Sequence, residues 1–499
     1  MATNPTTIGF RQVSSNLEVP GAYMEFDSAN ANNSAQAANY TYLVMGQMLA
    51  AGVATPLVPI EITGGKAQAD VLFGQGSMLS NMIAGAVAAN SNVKLVALPT
   101  LDLVAGTAAA GSIAFTGTAT NNGLITAYIG YSGLIVPAQI AVSAGETAVQ
   151  IAAALASAIN AVLDLPVTAT VDATTTSQVD IKARHKGAEA GVIDIRLAYA
   201  SSDVLPTGIT ATIVPMTGGA GNPSATPMIA AIGDTRYDII ALPWNDTATY
   251  QAWFAESARR WNALVEAEPC LVSSFHGTPG AANTLLAAMN SQWQDLYASF
   301  NALTPSFVEC AVIGAVYCAN LPNRPNAPQL GTLLPNIMAP AIGDRLTFQE
   351  RQLLYTEGGA CWKVQDGGAV ILERAVTTYK TNAQGAADNS YHERAIMATL
   401  TFLRRSWTDF MATRYPNCTF ADDGTPVIAG EVTSQLLAQG TLAWYQKMME
   451  LGLVQNFAAF QNALQSIRNA QNHSRNDQLL APNIVGPLNI IAGQMAFVE

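Results

Sequence analysis

The residues of this chain whose types and spacing could carry chemistry are few. Ser274 and His276 lie two apart at the end of CLVSSFHG, an apolar run that reads as a buried strand, so their side chains share one face. The carboxyl end of a parallel strand is where α/β enzymes often keep functional side chains, and a serine beside a histidine suggests hydrolysis. No acidic partner for the pair stands out in the sequence. A hydrolase-like enzyme using Ser274 and His276 is therefore the alternative reading and not the leading one.

Other templates fail outright. Around Gly65-Lys66 a phosphate loop would need a glycine where Ile60 stands and a Ser or Thr where Ala67 stands. The stretch Gly130-Tyr131-Ser132-Gly133-Leu134 breaks the nucleophile-elbow pattern at its last position. The four histidines, His185, His276, His392 and His473, form no HExxH and no Cys/His cluster, so neither a metal nor another cofactor is expected. Five cysteines without a CxxC pair suggest no disulfide framework and read as reduced, buried residues.

The bulk numbers narrow the class further. At 499 residues the chain is too long for one core. Charged residues make up 12%, about half the usual share, as though much of the surface were covered by other protein. A net charge of -12 without any basic run argues against nucleic-acid binding. The most apolar window, Thr147 to Leu163, is shorter than a membrane span, and its Ile151, Leu155, Ile159 and Val162 form a helical stripe. The opening MATNPTTIGF has no basic segment followed by an apolar one, so the chain is expected to start in the cytoplasm.

The elements that must position these residues follow from the hydrophobic pattern. YLVMGQ and VKLVALP read as buried strands with a helix between them. From about Gly111 come short strands rich in Thr and Gly around one Ala-rich helix. After the loop TGGAGNPSATP the α/β rhythm resumes: YDIIALPW and CLVSSFHG as strands, helices over 247–267 and 278–296, and FVECAVIGAVYC as a further strand. ACWKV and AVILERAVTTYKT then form a hairpin through Gln365-Asp366-Gly367-Gly368, where Asp-Gly suggests a type I′ turn. Ser390 and Glu393 have capping-box spacing before a helix with Ile396, Leu400, Leu403, Trp407 and Phe410 on its buried face and Pro416 past its end. Two more helices are expected, TSQLLAQGTLAWYQKMMEL and NFAAFQNALQSIRNA, before a tail that alternates at Ile491, Gly493, Met495 and Phe497.

The expected fold class is thus multi-domain α/β and α+β. An amino-terminal arm spans 1–40. A split α/β core occupies 41–108 and 226–345, interrupted by an inserted β-rich α+β domain at 109–225. A carboxy-terminal α+β domain covers 346–499 with its own terminal arm.

Three segments resemble the tail sheath proteins of contractile-tailed bacteriophages, the Mu-like group above all: VPGAYMEFD at 19–27, GGAVILERAVTTYKT with the helix after it, and RNDQLLAPNIVGPLNIIAGQMAFVE. The resemblance implies a structural subunit without catalysis. It implies stacked hexameric rings of identical subunits around a tail tube, contacts with tube, baseplate and tail terminator proteins, and contraction that drives the tube through the host envelope for DNA ejection. It further implies assembly in the host cytoplasm, residence in the virion tail, no membrane insertion and no direct nucleic-acid contact. The 346–499 region would be the sheath domain, and the inserted domain would be carried outward. The terminal arms would add strands to neighbouring subunits, which makes Val19, Tyr23 and Phe26 at one end and Ile491, Met495 and Phe497 at the other the strand-exchange candidates. Another tail or baseplate component is the remaining structural alternative.

Glu373 and Arg374 stand side by side within the insistently β-forming hairpin. Alternation puts one on each face, so they are not expected to pair with each other. In a lone domain one of them would be solvated; in a polymer each could meet a neighbour, which makes both candidates for the sheath interface.

Overall fold

The computed structural model describes residues 40–197, 199, 200, 202–424 and 428–497. Its first strand, β1 (Thr41–Gln47), is followed by β2 (Ile60–Ile62), α1 (Gly65–Phe73), α2 (Met78–Ala89) and β3 (Lys94–Thr100). β1 and β3 pair in parallel over their full length, from Thr41 opposite Lys94 to Gln47 opposite Thr100. α2 starts where the Ser77 side chain accepts the Ser80 amide, satisfying one of the orphan donors of its first turn.

The chain then leaves this sheet. β4 (Ala108–Gly117), β5 (Gly123–Ile129), β6 (Ala138–Val142), α3 (Ala148–Ala161), β7 (Val167–Val171), β8 (Gln178–Lys186), β9 (Ile195–Arg196) and β10 (Ile209–Thr217) form two further sheets, ordered β10-β4-β8-β7 and β6-β5-β9. α3 is the Ala-rich helix expected from its stripe: Thr147 and Gln150 form a reciprocal capping box, and Ile151, Leu155 and Ile159 are buried. At the base of this segment its incoming and outgoing chains are joined, since Thr107 and Ala220 exchange backbone hydrogen bonds of 2.9 and 3.1 Å.

With α4 (Ala225–Ile232), β11 (Ile239–Ala241), α5 (Thr247–Trp261), β12 (Cys270–His276), α6 (Pro279–Ala287), β13 (Gln294–Ser299) and α7 (Ser306–Asn320) the chain returns to the first sheet. The strand order is β13-β12-β11-β1-β3-β2, all parallel except β2. Alternation along β1 divides the interior. Tyr42 and Val44 pack with residues of α2 and α7, whereas Leu43 and Met45 pack with residues of α4, α5 and α6.

Two expectations fail here. FVECAVIGAVYC is not a strand but most of α7, in which every residue from Ser306 to Cys318 is buried. Covered by the sheet on one side and α2 on the other, this helix is apolar all round and carries no 3.6-residue signature. α6 also stops at Ala287, and Gln294–Ser299, read as its continuation, is the edge strand β13 with every residue buried. α7 approaches β1 so closely that the Tyr42 hydroxyl donates to the Ala311 carbonyl at 2.7 Å. A β-carbon at Gly314 would collide with the same ring.

The remainder contains α8 (Phe348–Thr356), the hairpin β14 (Cys361–Val364) and β15 (Val370–Arg374), α9 (Arg394–Arg414), β16 (Thr419–Phe420), β17 (Glu431–Val432), α10 (Ser434–Glu450), β18 (Val454–Gln455), α11 (Phe457–Ala463), β19 (Gln465–Arg468), β20 (Asn476–Leu479) and β21 (Asn483–Ile484). The hairpin is present, but its turn is not type I′: Gly368 has φ +84° and donates to Gln365, while Asp366 and Gly367 keep negative φ. β15 also ends at Arg374, well short of Thr381.

Ser390 does not cap α9. Its hydroxyl is bonded to Asp388 at 2.6 Å, and the helix begins after Glu393 because Glu393 is held extended against Val376 while the His392 carbonyl accepts from the Thr377 amide. Of the expected stripe only Leu403 is fully buried; Ile396, Leu400, Trp407 and Phe410 are half-buried. LQSIRNA, read as helix, supplies β19, paired with β20 in a small hairpin.

α9 is tied to the α/β sheet by a buried ion pair. The Arg394 guanidinium reaches Asp295 of β13 from Nε, at 3.0 Å to each oxygen, and from Nη2 as well. Tyr317 of α7 donates to the same carboxylate at 2.9 Å, and its hydroxyl is 2.6 Å from that of Tyr297. Among the described residues no helix is long and apolar enough to cross a membrane, and no group of three or more His, Cys, Asp or Glu could hold a metal. Cys270, Cys310, Cys318 and Cys361 are buried as free thiols, and Cys418 is half-buried.

Candidate interaction surfaces

The structure supplies the acid that the sequence did not offer to Ser274 and His276, but in an arrangement that disables them. Glu309 of α7 lies between the two. Ser274 Oγ donates to Glu309 Oε2 at 2.5 Å, and His276 Nε2 is 3.1 Å from Glu309 Oε1, a close contact without good hydrogen-bond alignment. The serine proton thus points at a carboxylate and not at the imidazole, so His276 is not placed to take it. Ser274 is 1% exposed, which leaves a substrate no route to it. The hydrolase reading is withdrawn on this geometry.

The same region is a polar clamp between segments distant in sequence. Glu189, in a 3₁₀ turn after β8, accepts from the Asn245 amide at 3.0 Å, from Asn245 Nδ2 at 3.1 Å and from Ser306 Oγ at 3.2 Å. Burial pushes its carboxyl up to about 7, offset in part by those bonds and by His276. A folded value above the unfolded one favours the protonated form, so this contribution is complete below about pH 4.5 and is lost as pH rises through about 7. Glu189→Gln keeps the shape and removes the titration. Between pH 5 and 8 the variant is expected to lose about 2–3 kcal/mol less stability than the parent in urea unfolding. Parallel pH profiles for the two proteins would refute the assignment.

Glu373 and Arg374 both find partners inside the chain. Arg351 Nε of α8 lies 2.8 Å from Glu373 Oε2, the Tyr355 hydroxyl donates to the same oxygen at 3.0 Å, and Lys363 Nζ is 3.6 Å from Oε1. Arg374 pairs with Glu393 just before α9, its guanidinium 5.5 Å from the centre of the Tyr355 ring. That both residues meet Tyr355 departs from strict alternation. The register slips between Cys361 and Trp362, so that Arg374 faces Cys361, Leu372 faces Trp362, and Glu373 is the extra residue of a bulge. Neither charge needs a second chain for its satisfaction.

The outer side of the hairpin differs from strand to strand. Gly331, Leu334 and Leu372 make backbone bonds of 2.8–2.9 Å that lay the 331–334 segment along β15. β14 has β15 on one side; on the other, Ala360 just before it donates to Leu296 of β13 at 2.8 Å and accepts from Ala298 at 3.2 Å, and past that point no ladder joins the two strands among the described residues.

The carboxy-terminal tail is the largest unsatisfied apolar feature. β21 is anchored on β18, and Val485 donates to Leu453 at 3.0 Å. Beyond it no strand forms among the described residues, and Leu488, Ile490, Ile491, Met495 and Phe497 are 65, 78, 85, 90 and 81% exposed. Five large apolar side chains so exposed within ten residues mark a segment made to be covered. Ile491, Met495 and Phe497 are thus exposed on a segment without regular secondary structure; Val19, Tyr23 and Phe26 lie outside the described residues.

No protein-family model matches the sequence. Among curated proteins, the Mu-like prophage FluMu tail sheath protein of Haemophilus influenzae is 31% identical over 494 residues, covering 99% of this chain and 100% of that one. Among solved structures, the contracted helical sheath of the anti-feeding prophage is 10% identical, with a TM-score of 0.48 over 96% of this chain and 99% of its own. The sheath tail protein of Desulfitobacterium hafniense is 14% identical, with a TM-score of 0.47 over 93% and 100%.

Proposed function

Because the chain belongs to the tail sheath proteins of Mu-like phages, we propose that it polymerises as hexameric rings stacked around a tail tube and shortens to drive that tube through a host envelope. It is a structural protein and a component of a virion tail. In this reading the subunits assemble in the host cytoplasm, meet tube, baseplate and terminator proteins, and contract for DNA ejection. Residues 41–108 and 226–345 act as the core, 109–225 as an inserted outer domain, and 346–499 as the sheath domain, with arms at 1–40 and at the carboxyl terminus.

The observation that carries the proposal is the uncovered apolar tail beyond an anchored β21. A tail with alternating apolar residues and no secondary structure of its own is equipped to become a strand in another subunit's sheet, and the part of β14 beyond Ala360, where it leaves β13, is a place for one to add. Such links persist while lateral contacts are exchanged, which is what a contracting polymer requires.

Negative-stain electron microscopy of the purified chain is expected to show hollow cylinders or rings. A monodisperse monomer under every assembly condition would overturn the reading. Because Arg374 already pairs with Glu393 and lies over Tyr355, Arg374→Ala should leave the yield of cylinders unchanged in the same assay and cost the fold no more than about 1 kcal/mol, since partly exposed ion pairs contribute little. A several-fold loss of cylinders would place Arg374 at the sheath interface.

A further inference from the structure

Where β14 parts from β13 the structure holds a cavity of about 130 Å³, lined on one side by the end of β13 and on the other by β14. Three basic residues, Arg345, Arg351 and Lys363, lie in its wall with one acid, Asp344. In a chain with only 23 Lys and Arg this is a dense concentration of positive charge. Asp344 is already engaged by Asn301 at 3.0 Å, and Glu373, outside the lining, serves Arg351 and Lys363. Arg345 has a 3.3 Å bond to the Pro340 carbonyl and, among the described residues, no carboxylate partner.

Ser299 and Trp362 also contribute to the wall, but their Oγ and Nε1 have almost no accessible surface, so the donors the cavity offers are the three basic side chains. Guanidinium and ammonium groups can only donate. What completes this site must therefore present acceptors, and the surrounding charge favours an anion. A carboxylate meets both conditions, with two oxygens able to take donors from several directions.

We propose that this cavity receives an Asp or Glu side chain from a second copy of the chain. The inference rests on the polymer reading given above. Charge complementarity selects the partner: the chain has 35 acidic residues against 23 basic ones, so the surface that another copy offers is mainly acidic. The cavity opens where β14 leaves β13 beyond Ala360, so a chain lying against Trp362–Val364 would bring its side chains within reach.

Carbodiimide coupling, which joins a carboxylate to an amine in contact with it, tests this on the full chain. Lys363 is 41% exposed and accessible to the reagent. Polymers assembled from a mixture of ¹⁴N- and ¹⁵N-labelled chains should yield a mixed-isotope peptide joining Lys363 to an acidic residue of the other copy. Unassembled chains should give only the internal Lys363–Glu373 product. Arg345→Ala should lower the mixed product several-fold and leave the internal one unchanged. Polymers in which Lys363 joins only Glu373 would overturn the proposal. So would a rise in the melting temperature of unassembled chains in sodium acetate over equal sodium chloride, abolished by Arg345→Ala, because the site would then hold a free anion. A chain that never polymerises would overturn the sheath reading and this inference together; polymers without the link overturn the inference alone.

Discussion

Asp295→Ala is expected to destabilise the folded chain by about 3–5 kcal/mol, enough to abolish soluble expression in a domain of ordinary stability. Asp295 is fully buried, and its carboxylate is the counter-charge for Arg394, itself 3% exposed. Removing the acid strands a guanidinium where water does not reach, and it also takes the acceptor from Tyr317. The pair joins β13 to the start of α9, so its loss weakens the attachment of the carboxy-terminal region to the α/β sheet as well as the local packing. Urea unfolding of the variant measures the effect. The double variant Asp295→Ala/Arg394→Met, which leaves no lone charge, should recover much of the loss. A single variant within about 1 kcal/mol of the parent would show that the pair is not the junction described here.

Deleting residues 486–499 is expected to abolish cylinders while leaving unfolding unchanged to within about 0.5 kcal/mol. The cut falls beyond the pairing of Val454 with Ile484 and beyond the bond from Val485 to Leu453, so no backbone bond of the described fold is broken. If the tail adds a strand to a neighbour, four or five bonds at about 0.5–1.5 kcal/mol each give several kcal/mol per link. Burial of side chains such as Ile491, Met495 and Phe497 adds about 1.5–3 kcal/mol apiece. A polymer with many subunits loses that at every joint. Electron microscopy of the truncated chain decides the matter, and cylinders of normal yield would eliminate the tail as the connector.

Much of the α/β architecture was legible because it obeys simple periodicities. β1, α2 and β3 stand where the pattern put them, and so do the strands from Ala108 to Thr217 around α3. α7 was not, because burial on all sides erases the polar face by which a helix is recognised. That error hid Glu309: a lone acid inside FVECAVIGAVYC was the available signal that a buried polar partner was needed. The start of α9 failed for a different reason, since the pairing of Val376 with Glu393 overrode a capping pattern that was locally sound. The partners of Glu373 and Arg374 come from 10 to 22 residues away through tertiary packing, and no spacing rule announces them. The tail, whose alternation suggested a strand, forms none among the described residues, because alternation alone supplies no partner for its backbone groups.

The bonds between Thr107 and Ala220 have a consequence for modularity. They fasten the two ends of everything between them at a single point, about 5.5 Å apart as in any hydrogen-bonded antiparallel pair. The clasp is one tie among several, since Glu189 is held by Asn245 and Ser306 and Asp164 pairs with Lys66 at 2.7 Å. A replacement segment must therefore match the closely spaced ends and also restore those contacts, whereas insertions at the outer turns of the segment leave both the clasp and the contacts in place.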